Sequence, residues 1–312
     1  ALFHHHGASD TQYFNGYKEG SDPNTSIDNI RQFLRGKVRD AKRRKKDVEE
    51  TIQYYIKSYG VPREWLTDAF DPALSKKDSL TDASLDVHLE DLQHINPNAR
   101  FVMFDACFNG SFYEDDYVAG EYIFSDGKTI VAQGNTVNTI QDKWPDEYVG
   151  LLSYGIRIGE WHKHVQFLET HLIGDPTYHF KNTGDPALDI NEAIAVYGKD
   201  NKFWEKLLQH TSVDVRCMAL RKLYENKESS LPGKLKKIYT NSAFGVERME
   251  AMRLLFLLNA PELTDVLKMA VDDSYELVRR FAVEYITERG TDELIPALVN
   301  SIMNDRTSRR VL

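Results

Sequence analysis

Two residues in this chain, His6 and Cys107, are of the types that hydrolytic chemistry uses, and each stands where an apolar run stops. Ala1-Leu2-Phe3 leads into His4-His5-His6-Gly7, and Phe101-Val102-Met103-Phe104 leads into Asp105-Ala106-Cys107. Such uninterrupted apolar runs suit strands buried on both faces of a parallel sheet, where ligands and chemistry gather beyond the carboxyl ends of the strands. A thiol attacks a carbonyl well only as thiolate; a nearby imidazole favours that form and then supplies the proton a leaving amine needs. Two strand ends can therefore assemble a cysteine–histidine dyad. A lone cysteine closing an apolar strand is also a common inert core residue, so the reading depends on its neighbours.

Asp105 lies two residues before Cys107 and, on a strand, projects beside it. A partly buried carboxylate is costly when unpaired, and a cationic side chain entering beside it makes a charge-assisted hydrogen bond. Asp105 is thus a candidate wall of a pocket for Lys or Arg; the alternative is that it caps a nearby turn or helix amide. By strand alternation His4 shares a face with His6 and would line the site, whereas His5 points away and is structural. Thr136, Asn138 and Trp144 follow the next expected strand and would form the opposite wall, with Trp144 over the substrate's aliphatic stem. Gly7 leaves room for a substrate backbone that a Cβ would crowd. Cys217 falls at a position expected to be buried and reads as inert. His4 with His6, or His162 with His164, could ligate zinc, but no cysteine or carboxylate cluster of zinc spacing accompanies them. No metal and no other cofactor is expected.

Taken in order, His6-Gly7, Asp105-Ala106-Cys107-Phe108-Asn109-Gly110, the segment from Thr136 to Trp144, and Leu172-Ile173-Gly174-Asp175-Pro176-Thr177 resemble the blocks of gingipain-like peptidases of the caspase-like clan. The resemblance spans most of residues 1–180. It implies a cysteine endopeptidase on a caspase-like α/β domain, with His6 and Cys107 catalytic and the amides of Gly7 and Cys107 facing the carbonyl oxygen as it gains charge. The Asp-Ala-Cys order looks like that of clostripain-type members, whose acid lines a pocket for basic residues, which implies cleavage after Lys or Arg. The resemblance also implies the bacterial cell envelope or secretion, with the cytoplasm as the alternative. One departure is plain: far more residues separate His6 from Cys107 than a single crossover needs, so an insertion is expected. The first strands of such a fold, and any carboxylate orienting the histidine, would precede Ala1.

The elements that must position these residues follow from periodicity. Over 26–60 the pattern predicts a helical insertion, with Ser26 as N-cap and apolar residues at Ile27, Ile30, Leu34, Val38 and Ala41, then Val48, Ile52, Tyr55 and Tyr59. The run Lys42-Arg43-Arg44-Lys45-Lys46 breaks the apolar face, so the helix either projects beyond the core or turns into a second one. That run reads first as a solvated face; a contact with nucleic acid or an anionic surface, or a processing site for a protease that prefers basic residues, is the sharper alternative. Leu85, Leu89, Leu92 and Ile95 predict a short helix, as do Tyr117, Val118, Tyr122 and Ile123. Thr129–Gln133 and Thr170–Ile173 predict strands. Pro145 opens a helix whose Gly150, Gly155 and Gly159 imply tight packing on the sheet. Together these make a mostly parallel sheet flanked by helices over residues 1–185.

From 186 to 312 the pattern is helix after helix, and it repeats. Val215-Arg216, Val246-Glu247-Arg248 and Val278-Arg279 each precede an alanine at the same offset, with Arg309 placed for a fourth copy. This resembles HEAT-like helical repeats, which stack into an all-α solenoid with a concave surface for a protein or peptide; a buttress for the first domain is the alternative. The 312 residues leave room for two such domains, and 41% hydrophobic with 28% charged residues is a globular composition. A formal charge of −9 argues against a dedicated nucleic-acid binder. No stretch approaches a membrane span. The expected partners are a protein or peptide substrate and a protein on the repeats. The reading from another class is a catalytically inactive homologue that binds proteins through those repeats.

Overall fold

Phe101–Asp105 is buried along its whole length, and this strand becomes the second of four in an open mixed sheet. The computed structural model describes residues 1–14, 22–139, 147–167 and 169–308. Seven strands are formed by the described residues: β1 (Leu2–His4), β2 (His6–Gly7), β3 (Thr11–Tyr13), β4 (Val87–His88), β5 (Phe101–Asp105), β6 (Val131–Asn135) and β7 (Thr170–Gly174). The main sheet has the order β1-β5-β6-β7, parallel across the first two pairs and antiparallel at β7. Register sets Leu2, Phe3 and His4 opposite Met103, Phe104 and Asp105. A second, antiparallel sheet has the order β2-β3-β4.

The chain therefore changes sheets at His5. The expected single strand through His6 is two, and alternation does not carry from His4 to His6. Thr11–Tyr13, in a stretch whose composition suits a loop, forms β3. Strands of two or three residues are too short to show a period.

By contact density the chain divides into two compact units, residues 1–140 with 168–175, and residues 141–167 with 176–312. The first holds both sheets. Leu92, Val102, Phe104, Val118, Tyr122 and Ala132 form its core under α6 (Val118–Phe124), the helix expected there. Phe3 stacks on Phe104 with ring centroids 5.7 Å apart, and Tyr122 meets Phe104 edge-on at 5.1 Å.

Between the two sheets' contributions the chain makes a helical excursion: α1 (Pro23–Arg43), α2 (Val48–Tyr59), α3 (Glu64–Thr67), α4 (Pro72–Ala83) and α5 (Leu89–Leu92). Asp22, not Ser26, caps α1, accepting from the amides of Asn24 and Thr25, with Pro23 in the first turn where its missing N–H costs nothing. The basic run turns the chain: Lys45 adopts a positive φ of 56°, and Asp47 caps α2. Gly60 closes α2 in the left-handed region at φ 64°. The helices continue past that point, because α4 folds back and sets Asp78, 1% exposed, between Arg35 and Arg39 of α1.

The second unit contains α7 (Ile158–Val165), α8 (Ile190–Tyr197), α9 (Asn201–Leu207), α10 (Val213–Glu225), α11 (Leu231–Asn241), α12 (Gly245–Leu257), α13 (Glu262–Ala270), α14 (Glu276–Arg289) and α15 (Ile295–Asn304). Here the expected packing of 145–159 on the sheet is corrected. Gly150 lies against Asp214 of α10, where a Cβ would come within 2.3 Å of the carboxylate, and Gly159 lies against Pro176. The glycines are required by close approach, but to the helical unit. The repeated arginines have one job in common. Arg216, Arg248 and Arg279 each donate Nη1 to the carbonyl six residues earlier, and Nε to a carboxylate of the following repeat, Glu247, Asp273 and Asp305 respectively. The predicted fourth arginine, Arg309, lies outside the described residues, as do Trp144 and Pro145. No helix among the described residues is long and apolar enough to cross a membrane.

Candidate active site

Gly7 and Cys107 meet through their backbones. A Cβ built on Gly7 would stand 2.5 Å from the Cys107 carbonyl oxygen and within 3 Å of the Asn109 side chain. The glycine after the histidine is thus demanded by the protein itself, a nearer cause than the substrate crowding expected from sequence. This contact brings the His6-Gly7 strand to the turn that carries Cys107. His6 is exposed and Cys107 half-buried.

Asn109 ties the two segments together. Fully buried, it donates Nδ2 to the carbonyls of Ala8, at 2.5 Å, and Thr11, at 3.1 Å, which close the turn after Gly7. Its own carbonyl receives the Ala119 amide at the start of α6. In the sequence, the signal for Asn109 is an Asn-Gly pair that begins two residues after the cysteine. Between them Phe108 adopts a positive φ of 57°, a strained choice for a bulky residue, and strain of this kind concentrates at functional sites.

Asn135 does the same for the next strand, donating to the carbonyls of Ala106, at 2.9 Å, and Phe104 while accepting from the Thr170 hydroxyl at 2.6 Å. Gly110 and Gly134 are in backbone contact, so neither position has space for a Cβ. The loop after β6 then reaches the thiol: the Thr139 amide lies 3.3 Å from Cys107 Sγ. Thr139 has no signal in the sequence, because backbone donors leave no residue-type signature.

The expected substrate-side residues separate. Asn138 is exposed. The Thr136 hydroxyl is buried among Glu169 and His171, bonded to the Glu169 carbonyl and carboxylate and lying 3.1 Å from His171 Nε2, so it secures β7. Trp144 lies outside the described residues. Asp105 is 6% exposed, and its Oδ2 accepts from His4 Nδ1 at 2.6 Å, while the His4 side chain is 81% exposed. His4 is therefore at the strand end, as expected, though through the β1–β5 register and not by sharing a face with His6. His5 packs between Phe3 and Phe14. Its Nδ1 meets the His6 carbonyl at 2.7 Å; a carbonyl only accepts, so the proton sits there and Nε2 accepts from Gln12. Burial lowers its pKa. It holds the His6 backbone as a neutral ring.

Cys217 is the opposite case to Cys107. It is buried on α10, and burial, with the charges of Glu250, Glu247 and Asp214, pushes its thiol far up. His162 and His164 fall on a helix, two residues apart, and so point away from one another. Two cavities, of about 520 and 640 Å³, are lined wholly by the helical unit and contain none of these residues. In comparisons with known proteins, no family model matches the chain, and neither does any curated protein or solved structure.

Proposed function

We propose that this chain is a cysteine endopeptidase of gingipain-like type, on a caspase-like α/β unit, cutting after Lys or Arg. The observation that carries the reading is the backbone contact of Gly7 with Cys107, which joins an exposed histidine to a half-buried thiol at neighbouring strand ends. Cys107 Sγ, with the Thr139 amide beside it, attacks the scissile carbonyl. His6 takes the thiol proton and gives it to the leaving amine; water, deprotonated by His6, then releases the acyl group. The amides of Gly7 and Cys107 receive the carbonyl oxygen as it becomes negative. Asp105 is the acid for the basic side chain.

HEAT-like stacking of the helical unit is supported by the arginines that link each repeat to the next, and its role is to bind a protein substrate or partner. The resemblance favours the bacterial cell envelope or secretion for this activity, with the cytoplasm as the alternative. The second reading, an inactive homologue serving as a binding platform, is favoured by one feature: α15 leaves Ile295, Val299, Ile302 and Met303 exposed. One experiment separates the two. The full chain is incubated with matched fluorogenic peptides bearing Arg, Lys, Asn, Asp or Leu before the cut bond. Turnover of the Arg and Lys peptides, abolished in Cys107→Ala and untouched in Cys217→Ala, is expected. No turnover of any peptide, or turnover that survives Cys107→Ala, defeats the peptidase reading.

A further inference from the structure

We propose that His4 is an exchangeable plug on Asp105: its imidazole holds the carboxylate that a guanidinium or ammonium group takes, and a basic side chain enters by displacing it. For the identity of the entering group as a substrate side chain, this rests on the peptidase reading. The exchange itself does not.

A buried carboxylate needs a partner. Elsewhere in the molecule that need is met permanently. Asp78 is gripped by two guanidiniums, Arg35 in bidentate fashion and Arg39 beside it, whose side chains are themselves only 8% and 23% exposed. Asp105 is treated differently. Its carboxylate is also buried, yet the hydrogen bond to its Oδ2 comes from a ring nitrogen of a side chain that is 81% in water. His4 loses almost no packing by rotating away, because it has almost none. An arriving arginine brings a full charge and two parallel N–H groups in place of one, so it restores the partner and improves on it. The position of the pair suits this use: the β1–β5 register sets both residues at the carboxyl ends of their strands, and Asp105 is two residues before Cys107. No covalent bond changes; one hydrogen bond to Oδ2 is exchanged for another.

Agmatine, a free guanidinium, probes the exchange without turnover. Calorimetric titrations are run on the full chain and on its His4→Ala, His4→Gln and Asp105→Asn variants. Removing the competing hydrogen bond should tighten agmatine binding in His4→Ala about tenfold. His4→Gln, which keeps a donor, should lie near the parent, and Asp105→Asn should not bind. In the parent, the His4 ring resonances should shift saturably with agmatine, a readout that needs no variant to fold. Equal or weaker binding by His4→Ala, binding retained in Asp105→Asn, or His4 resonances that stay put would each overturn the plug. The peptide assay reads the other question. Agmatine affinities in the expected order with no peptide cleaved would leave the plug standing and remove the peptidase; cleavage with affinities blind to His4 would remove the plug alone.

Discussion

At the scale of single residues, the site is built by atoms that are missing as much as by those present. Gly7 faces the Cys107 carbonyl at a separation no Cβ tolerates, and that oxygen belongs to backbone fixed by Asn109 and by the bond from the Phe108 amide to the Val137 carbonyl. Something must shift if a methyl group is added, and overpacking of this kind costs about 1–3 kcal/mol. The shift would fall between His6 and Cys107. Gly7→Ala should therefore lower the unfolding temperature moderately but slow the reaction of Cys107 with a neutral alkylating reagent disproportionately. Gly36, whose added Cβ meets nothing, is the matched control. Unchanged thiol reactivity in Gly7→Ala would show that the contact does not set the site.

At the scale of elements, the basic helix of the excursion is a structural device. Arg35 and Arg39 converge on Asp78, Arg43 and Arg44 pair with Asp40, and Lys42 lies over the Phe70 ring. Burial raises the Asp78 pKa, and the hydrogen bonds from Arg35 and Arg39 outweigh it, leaving it below the ordinary carboxylate value. A carboxylate so depressed contributes stability that is present above its unfolded-state pKa and lost as pH falls through the folded one. Asp78→Ala leaves two guanidiniums facing a vacated pocket and should cost about 3–5 kcal/mol at neutral pH, whereas the exposed pair lost in Arg43→Ala should cost little. Urea unfolding of both variants checks this; similar midpoints would mean that α4 is not anchored there. Much at this scale was legible in the sequence. The apolar run of β5, the stripe of α6, and the strands β6 and β7 all carry their own periodicity. Asp78 was not legible, since α4 has no apolar face and a buried acid looks like a surface one until its partners are known. The pairing of His4 with Asp105 was hidden for a related reason: strand register is set by contacts distant in sequence, and β2, β3 and β4 are too short to show a pattern.

At the scale of the whole chain, the order of residues and the order of folding units differ. A change of composition near Pro186 invites a domain boundary there, but residues 147–167, which precede β7, fold with the repeats. The Tyr148 hydroxyl donates to Glu250 at 2.8 Å, the Glu147 carboxylate bonds to Arg221 and Arg253, and Asn191 accepts from the Arg157 amide. Leu151, Ile156, Ile158 and Trp161 are fully buried in the same unit. Cutting at Pro186 would remove α10, on which the turn 149–154 packs, expose apolar side chains of this segment at up to about 1.5–3 kcal/mol each, and strand Glu147 and Tyr148 without their partners. That sum is comparable to the ~5–15 kcal/mol that holds a whole domain folded. A chain of residues 1–185 should therefore unfold at a much lower temperature than the full chain, or fail to accumulate as folded protein. A chain of 1–185 in which 147–167 is also replaced by a short glycine–serine linker should recover a cooperative transition, because it no longer carries the orphaned apolar surface. Thermal unfolding followed by circular dichroism distinguishes them. If the simple truncation melts at the full chain's temperature, the segment 147–167 does not depend on the helical unit, and the boundary suggested by composition is the physical one.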